Sequence, residues 1–160
     1  GRTLRQMYMG QADWEVIAKA GQVTKGTGVS YLGNGDVKSL KDAHEKIKKY
    51  DVDGVLIGRA TFGNPWFFDQ VKHYLKTGDK KQEPTIAERA EMAIRHLKMS
   101  GEWKGEVLGV LETRRHYGNY FKGIANFKDI KSRILNEKNP ETIIKELEGV
   151  KKNFSEAVLY

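Results

Sequence analysis

Gly33-Asn34-Gly35-Asp36, followed about twenty residues later by Asp53-Gly54-Val55-Leu56-Ile57-Gly58-Arg59-Ala60, is the stretch that decides the fold. Each half sets glycines just after a short apolar run, where backbone without a Cβ can bring its N–H groups against an anion. The loops after the last two strands of a (β/α)8 barrel commonly build a phosphate site in this way. Working outward, Val29 to Leu32 reads as a strand that ends in the first glycine turn. Ser39, with Asp42 three residues on, reads as a capping box opening a helix through Tyr50. Val55 to Ile57 reads as the next buried strand. Gly63-Asn64-Pro65-Trp66 then leads into a helix to about Leu75, with Pro65 in its first turn. Strand, helix, strand, helix implies parallel pairing and an α/β architecture.

Further along, residues 77–84 are polar, highly charged and closed by Pro84, the pattern of an interdomain linker. Thr85 and Glu88 then form a second capping box. Ile86, Ala90, Ala93, Ile94 and Leu97 recur at helical spacing, which predicts a helix over residues 85–99. Residues 101–105 read as a turn, and a further helix from about Glu106 is expected to break at Gly118 or Gly123. Asn139 as cap and Pro140 at the first position open a last helix, with Ile143, Leu147, Val150, Phe154 and Val158 on one stripe. Two parts result: residues 1–78 with the strands, and residues 79–160 as an all-α domain.

The 160 residues suffice for a real core but not for a complete barrel, which needs at least ~200. The start without methionine, in what reads as a functional loop, marks the chain as a piece of something longer. No apolar run approaches the ~18 residues of a membrane span, and no signal peptide is evident. Zero cysteines exclude disulfides and thiolate metal sites and fit a cytoplasmic protein. His44, His73 and His96 fall on separate predicted helices without metal-ligand spacing, so no metal site is expected.

With 28 basic against 21 acidic residues, the net charge of +7 suits a nucleic-acid partner. Between residues 114 and 133 stand Arg114, Arg115, Lys122, Lys128, Lys131 and Arg133 against Asp129 alone. At 100° per residue, Tyr117, Tyr120, Phe121 and Ile124 share one helix face, and Arg115, Asn119 and Lys122 share the opposite one. The apolar face docks, which leaves the basic face either to meet phosphates or to stand solvated. His116, at the boundary, either bonds a phosphate or caps local packing.

In order along the chain, Gly1-Arg2-Thr3 with Gln6, Tyr8 and Gly10, then Ala12-Asp13-Trp14, Asn34-Gly35-Asp36, Asp53-Gly54, Ile57-Gly58-Arg59 and Gly63-Asn64-Pro65-Trp66 resemble the tRNA-dihydrouridine synthases. Arg114-Arg115-His116-Tyr117 with Tyr120 and Lys122 is similar to the arginine-rich helix of that family's C-terminal domain. The resemblance implies a flavoenzyme in which FMN, reduced by NADPH, passes a hydride to a uracil of tRNA while a cysteine supplies a proton. It implies the last two strand-helix units of a (β/α)8 TIM barrel followed by an all-α tRNA-binding domain. The cysteine acid and a histidine beside the flavin belong to the missing N-terminal half of the barrel, so this chain carries no catalytic residue and alone is expected to be inactive.

By the same resemblance, Asn34, Gly35, Asp36, Gly58 and Arg59 would receive the FMN phosphate, although Arg59 would pair with a carboxylate in a purely structural turn. Arg2, Thr3, Gln6 and Tyr8 would face the flipped-out uridine, with plain loop packing as the equal alternative for Gln6 and Tyr8, and Arg114, Arg115, His116 and Lys122 would hold tRNA. Asp13 reads as a helix cap, Trp14 as core, and Trp66, Phe67 and Phe68 as packing. Weak or absent FMN binding is expected of the fragment, with self-association through its open strand edges. The alternative is a stand-alone, truncated, non-catalytic RNA-binding module.

Overall fold

Asp13 opens the first helix. In the computed structural model, which describes residues 5–7 and 9–154, its carboxylate accepts the Val16 N–H at 3.1 Å, and α1 runs over Trp14–Gly21 with Trp14 and Ile17 turned inward. A cap of this kind stabilises a helix by about 1 kcal/mol. After a 3-10 turn come β1 (Leu32–Asn34), α2 (Leu40–Tyr50), β2 (Gly54–Leu56), a second 3-10 turn over Arg59–Thr61, and α3 (Phe67–Thr77). The two strands pair in parallel, with Leu32 opposite Gly54 and Asn34 opposite Leu56. Both glycine turns therefore leave the sheet at the same, carboxyl edge.

The strands sit slightly off their expected positions. Val29 is exposed and belongs to a loop whose Gly26 and Gly28 both hold φ 77°, a conformation no extended strand accepts, so β1 starts only at Leu32. The second strand ends at Leu56, before Ile57. Ser39 caps α2 through the Asp42 N–H at 3.0 Å, but the Asp42 carboxylate accepts from Lys38 N rather than Ser39 N, so the box is half formed. Pro65 precedes α3, whose N-cap is Trp66. Trp14, Ile17, Val37, Ala43, Val52, Phe67 and Val71 form the core of this part, as burial of a continuous apolar set between helices and sheet requires. Among the described residues each strand has one neighbour, and Leu32 and Leu56 remain half exposed.

The chain divides into two compact units, Gly1–Thr61 with Pro65–Lys81, and Phe62–Asn64 with Gln82–Tyr160. Among its described residues the second unit has helices joined by turns and loops, and no strand. Thr85 and Glu88 form a complete capping box at the start of α4 (Ile86–Lys104). This helix continues through Gly101, where a turn is expected from sequence, because Gly101 lies against α5 (Glu106–Tyr120). A Cβ on Gly109 would sit 2.7 Å from Gly101 Cα, so the bare Gly109 lets the two backbones meet, while a Cβ on Gly101 would meet nothing within 4 Å. Helix α5 passes Gly118 unbroken and ends at Tyr120; Gly123 stands beyond it at φ 88°. A short α6 (Lys128–Asn136) follows, then α7 (Pro140–Asn153), capped by Asn139 with Pro140 at its start.

Leu97, Val110, Tyr117, Tyr120, Ile134, Ile143, Leu147 and Val150 are the buried centre of this unit. Phe121, Phe127 and Phe154 extend it as a run of contacting rings. No helix among the described residues is long and apolar enough to cross a membrane.

Candidate anion site and basic helix

At the carboxyl edge of the sheet, Asn34, Gly35, Asp36, Val37, Lys38, Leu56, Gly58, Arg59 and Ala60 line an open concavity of about 500 Å³. Gly35 at φ 140° and Asp36 at φ 52° make the sharp turn between strand and helix. A side chain at Gly35 would also fall on the Ala12 methyl, so the position admits only glycine. Gly58 is different. A Cβ there would meet nothing within 4 Å, so neither packing nor a left-handed backbone demands glycine, and bare peptide faces open space.

Asp36 organises the turn. Its carboxylate is nearly buried, accepting the Ala12 N–H at 2.7 Å and the Arg59 guanidinium at 2.9 Å. Its charge is thus answered, and Arg59 is held at the rim with more than half of its side chain exposed. The pairing of Arg59 with a carboxylate coexists with its position on the concavity, so one arrangement accommodates both readings of that residue. Lys46 donates to the Asp36 carbonyl at 3.3 Å and pairs with Asp42. The indole Nε1 of Trp14 donates to the Gly35 carbonyl at 2.8 Å.

In the helical unit, Tyr117, Tyr120 and Phe121 are buried, while Arg115, Asn119 and Lys122 are exposed, the division expected from helical periodicity. Exposed Lys128 and Lys131 stand on α6. Arg114 is placed otherwise: its guanidinium donates to the Glu137 carbonyl at 2.7 Å and ties α5 to the end of α6. His116 turns inward, where its Nδ1 accepts the Gly63 N–H at 3.1 Å and its ring lies against His96 and Phe62. Burial, helped by the neighbouring His96 and Arg115, pushes the His116 pKa down to about 4.

A family model described as dihydrouridine synthase (Dus) matches residues 1–157. The chain belongs to the dihydrouridine synthase family. Among its relatives, a probable tRNA-dihydrouridine synthase of Rickettsia conorii is 35% identical over 91% of this chain and 43% of its own length. A tRNA-dihydrouridine synthase B of Pseudomonas putida is 33% identical over 84% of this chain and 39% of its own. A probable tRNA-dihydrouridine synthase 1 of Synechocystis is 36% identical over 76% and 33%. The chain spans about two fifths of the length of the first two relatives.

As a dihydrouridine synthase family chain, it gathers Asn34, Gly35, Asp36, Gly58 and Arg59 around one concavity. Arg2 and Thr3 lie outside the described residues, as does Tyr8; Gln6 is exposed in a turn. Two features escape a reading of the sequence. One is the indole bond of Trp14, which looks like a plain core ring at its position. The other is the Phe62–Asn64 segment, which belongs to the helical unit although the residues flanking it belong to the other.

Proposed function

We propose that this chain is the C-terminal part of a flavin-dependent tRNA-dihydrouridine synthase, which reduces uridine in tRNA to 5,6-dihydrouridine. In this reading, residues 1–78 supply the last two strand-helix units of an FMN-binding (β/α)8 barrel, and residues 79–160 supply a helical tRNA-binding domain. The observation that carries the proposal is the concavity at the carboxyl edge of two parallel strands, with the bare Gly58 backbone and Arg59 on its rim. This is where α/β folds hold ligands, and a glycine free of any packing duty leaves room for an anion's oxygens.

The donor set suits a phosphate monoester: bare peptide at Gly58 and the rim guanidinium of Arg59, which already pairs with the Asp36 carboxylate that Ala12 N–H also bonds. FMN, when bound and reduced by NADPH, would supply the hydride chemistry. This chain's own share would be to hold the phosphate through Gly35, Asp36, Gly58 and Arg59. Arg115 and Lys122 would hold the tRNA backbone, with Arg114 and His116 supporting their helix from within. The chain contains no cysteine, so the proton that the family's cysteine delivers would come from outside it. The half-exposed Leu32 and Leu56 suit strands awaiting barrel neighbours.

The test is to incubate the full-length protein carrying this segment with unmodified tRNA and NADPH, then digest the RNA and measure nucleosides by mass spectrometry. The proposal expects dihydrouridine from the full protein and none from the 160-residue chain. Absence of dihydrouridine with the full protein, together with retained RNA binding by the chain, would establish the non-catalytic RNA-binding module instead.

A further inference from the structure

The glycine turn that lines the concavity is held from behind. Trp14 is not among the residues that line the concavity, and it meets the loop twice directly and once through Lys46. Its indole Nε1 donates to the Gly35 carbonyl at 2.8 Å. Its ring fills the space where a Gly33 side chain would go, since a Cβ there would sit 2.7 Å from Trp14 Cη2. Lys46, which donates to the Asp36 carbonyl, stands 5.4 Å above the same ring. Trp14 is itself 5% exposed, in the core and on the first turn of α1, so the donor has a fixed origin.

A peptide plane has two polar ends pointing in opposite directions. The chain has no cis peptide bond, so when the Gly35 carbonyl is turned toward the indole, the Asp36 N–H on the same plane is turned away from it. Gly35 and Asp36 line the concavity, and Trp14 does not. Gly35, at φ 140°, is a residue whose missing side chain leaves its peptide planes unusually free to rotate. A single directed hydrogen bond on its carbonyl is then what selects one orientation over the other.

We propose that Trp14 is a positioning residue for anion binding: through its indole N–H it fixes the Gly35–Asp36 peptide so that the Asp36 amide faces a phosphate monoester dianion in the concavity. This rests on the reading of that concavity as the FMN-phosphate site, and adds to it the residue that sets the aim of the turn. Trp14 touches no ligand. It explains why glycine stands at position 33 as well as 35: one makes room for the ring, the other lets the peptide turn to meet the ring's donor.

The experiment is a titration of the full-length protein carrying this segment, 15N-labelled and freed of flavin, with inorganic phosphate, followed by amide chemical shifts, on the parent and on Trp14→Phe. Phenylalanine keeps an aromatic ring in the core and removes the donor. In the parent, the Gly35, Asp36, Gly58 and Arg59 amides shift together; FMN shifts the same amides, and riboflavin, which lacks the phosphate, leaves them in place. In Trp14→Phe the response of the Asp36 amide collapses and phosphate affinity falls about tenfold, the size of one lost hydrogen bond to a charged ligand. The Gly58 and Arg59 amides still respond at higher concentration, which a general loosening of the fold would not spare.

Parent amides that ignore phosphate altogether would overturn the reading of the concavity itself. A responsive parent with an equally responsive Asp36 amide in Trp14→Phe would overturn the role of Trp14 alone. Should Trp14→Phe fail to fold, the same comparison is made with 3-benzothienylalanine, which replaces only the ring N–H by sulfur. It is placed at position 14 with Trp66, Trp103 and any further tryptophan of the full-length protein changed to Phe, and an unchanged Asp36 response there would overturn the proposal.

Discussion

The Gly63 N–H donates to Nδ1 of His116 across 3.1 Å, fifty-three residues apart in sequence. The bond requires a neutral imidazole, because a protonated Nδ1 has no lone pair to offer. Burial, with His96 and Arg115 nearby, holds the His116 pKa at about 4, below the ordinary 6.5. The unfolded chain therefore binds this proton more readily than the folded one, and stability falls as pH drops from about 6.5 toward 4. His96 adds in the same direction, its pKa lowered by burial. Denaturant unfolding followed across that window should show the loss. His116→Asn, which keeps an acceptor near the same place and does not titrate, should reduce it to the share that His96 carries.

Gly63 and Gly149 should respond oppositely to alanine. At Gly63, φ is 61° and a Cβ would sit 2.6 Å from Tyr120 N and press on the His116 carbonyl, so Gly63→Ala should cost about 2 to 4 kcal/mol. Gly149, within α7, has open space at that position, and Gly149→Ala should gain about 0.5 to 1 kcal/mol by raising helix propensity. Thermal or urea melts of the two variants measure both signs in one series.

The exposed and the anchored arginines of α5 should separate in an RNA-binding assay. Arg115→Ala with Lys122→Ala removes two exposed cations, and the slope of log affinity against log salt should fall by roughly 1.5 to 2. Arg114→Ala should leave that slope nearly unchanged and instead lower stability by about 1 kcal/mol, through its lost bond to the Glu137 carbonyl. Filter binding of tRNA at several salt concentrations, beside melts of the same proteins, checks both.

Much of this was legible in the sequence because it is local. Capping signals at Asp13, Ser39, Thr85 and Asn139 each mark a helix start that the structure shows, since a cap acts over three residues. The two faces of α5 follow from periodicity alone. Strand ends were less legible, because Val29 is β-branched and apolar yet sits in a loop governed by the backbone of Gly26 and Gly28. Helix α6 gave little signal: over nine mostly polar residues it buries only Ile134. The helix running through Gly101 was hidden because a glycine reads as a turn signal, whereas here it lies mid-helix with open space at its Cβ position.

At the candidate site, sequence marked the glycines and Arg59 but not what holds them. The Asp36 contacts with Ala12 and Arg59, and the Trp14 bond to Gly35, span twenty-one to twenty-four residues and follow no periodicity. His116 likewise faces inward because of Gly63, a partner that helical spacing around position 116 does not reveal.

We propose that one unit grips a flavin phosphate and the other grips RNA. It is tested most directly by measuring bound flavin and tRNA affinity together in the full-length protein, for Arg59→Ala and for the Arg115→Ala, Lys122→Ala pair. Arg59→Ala should lose most of its flavin and keep its RNA affinity, while the pair should keep its flavin and lose RNA affinity. Full flavin content in Arg59→Ala, or undiminished RNA binding by the pair, would contradict it.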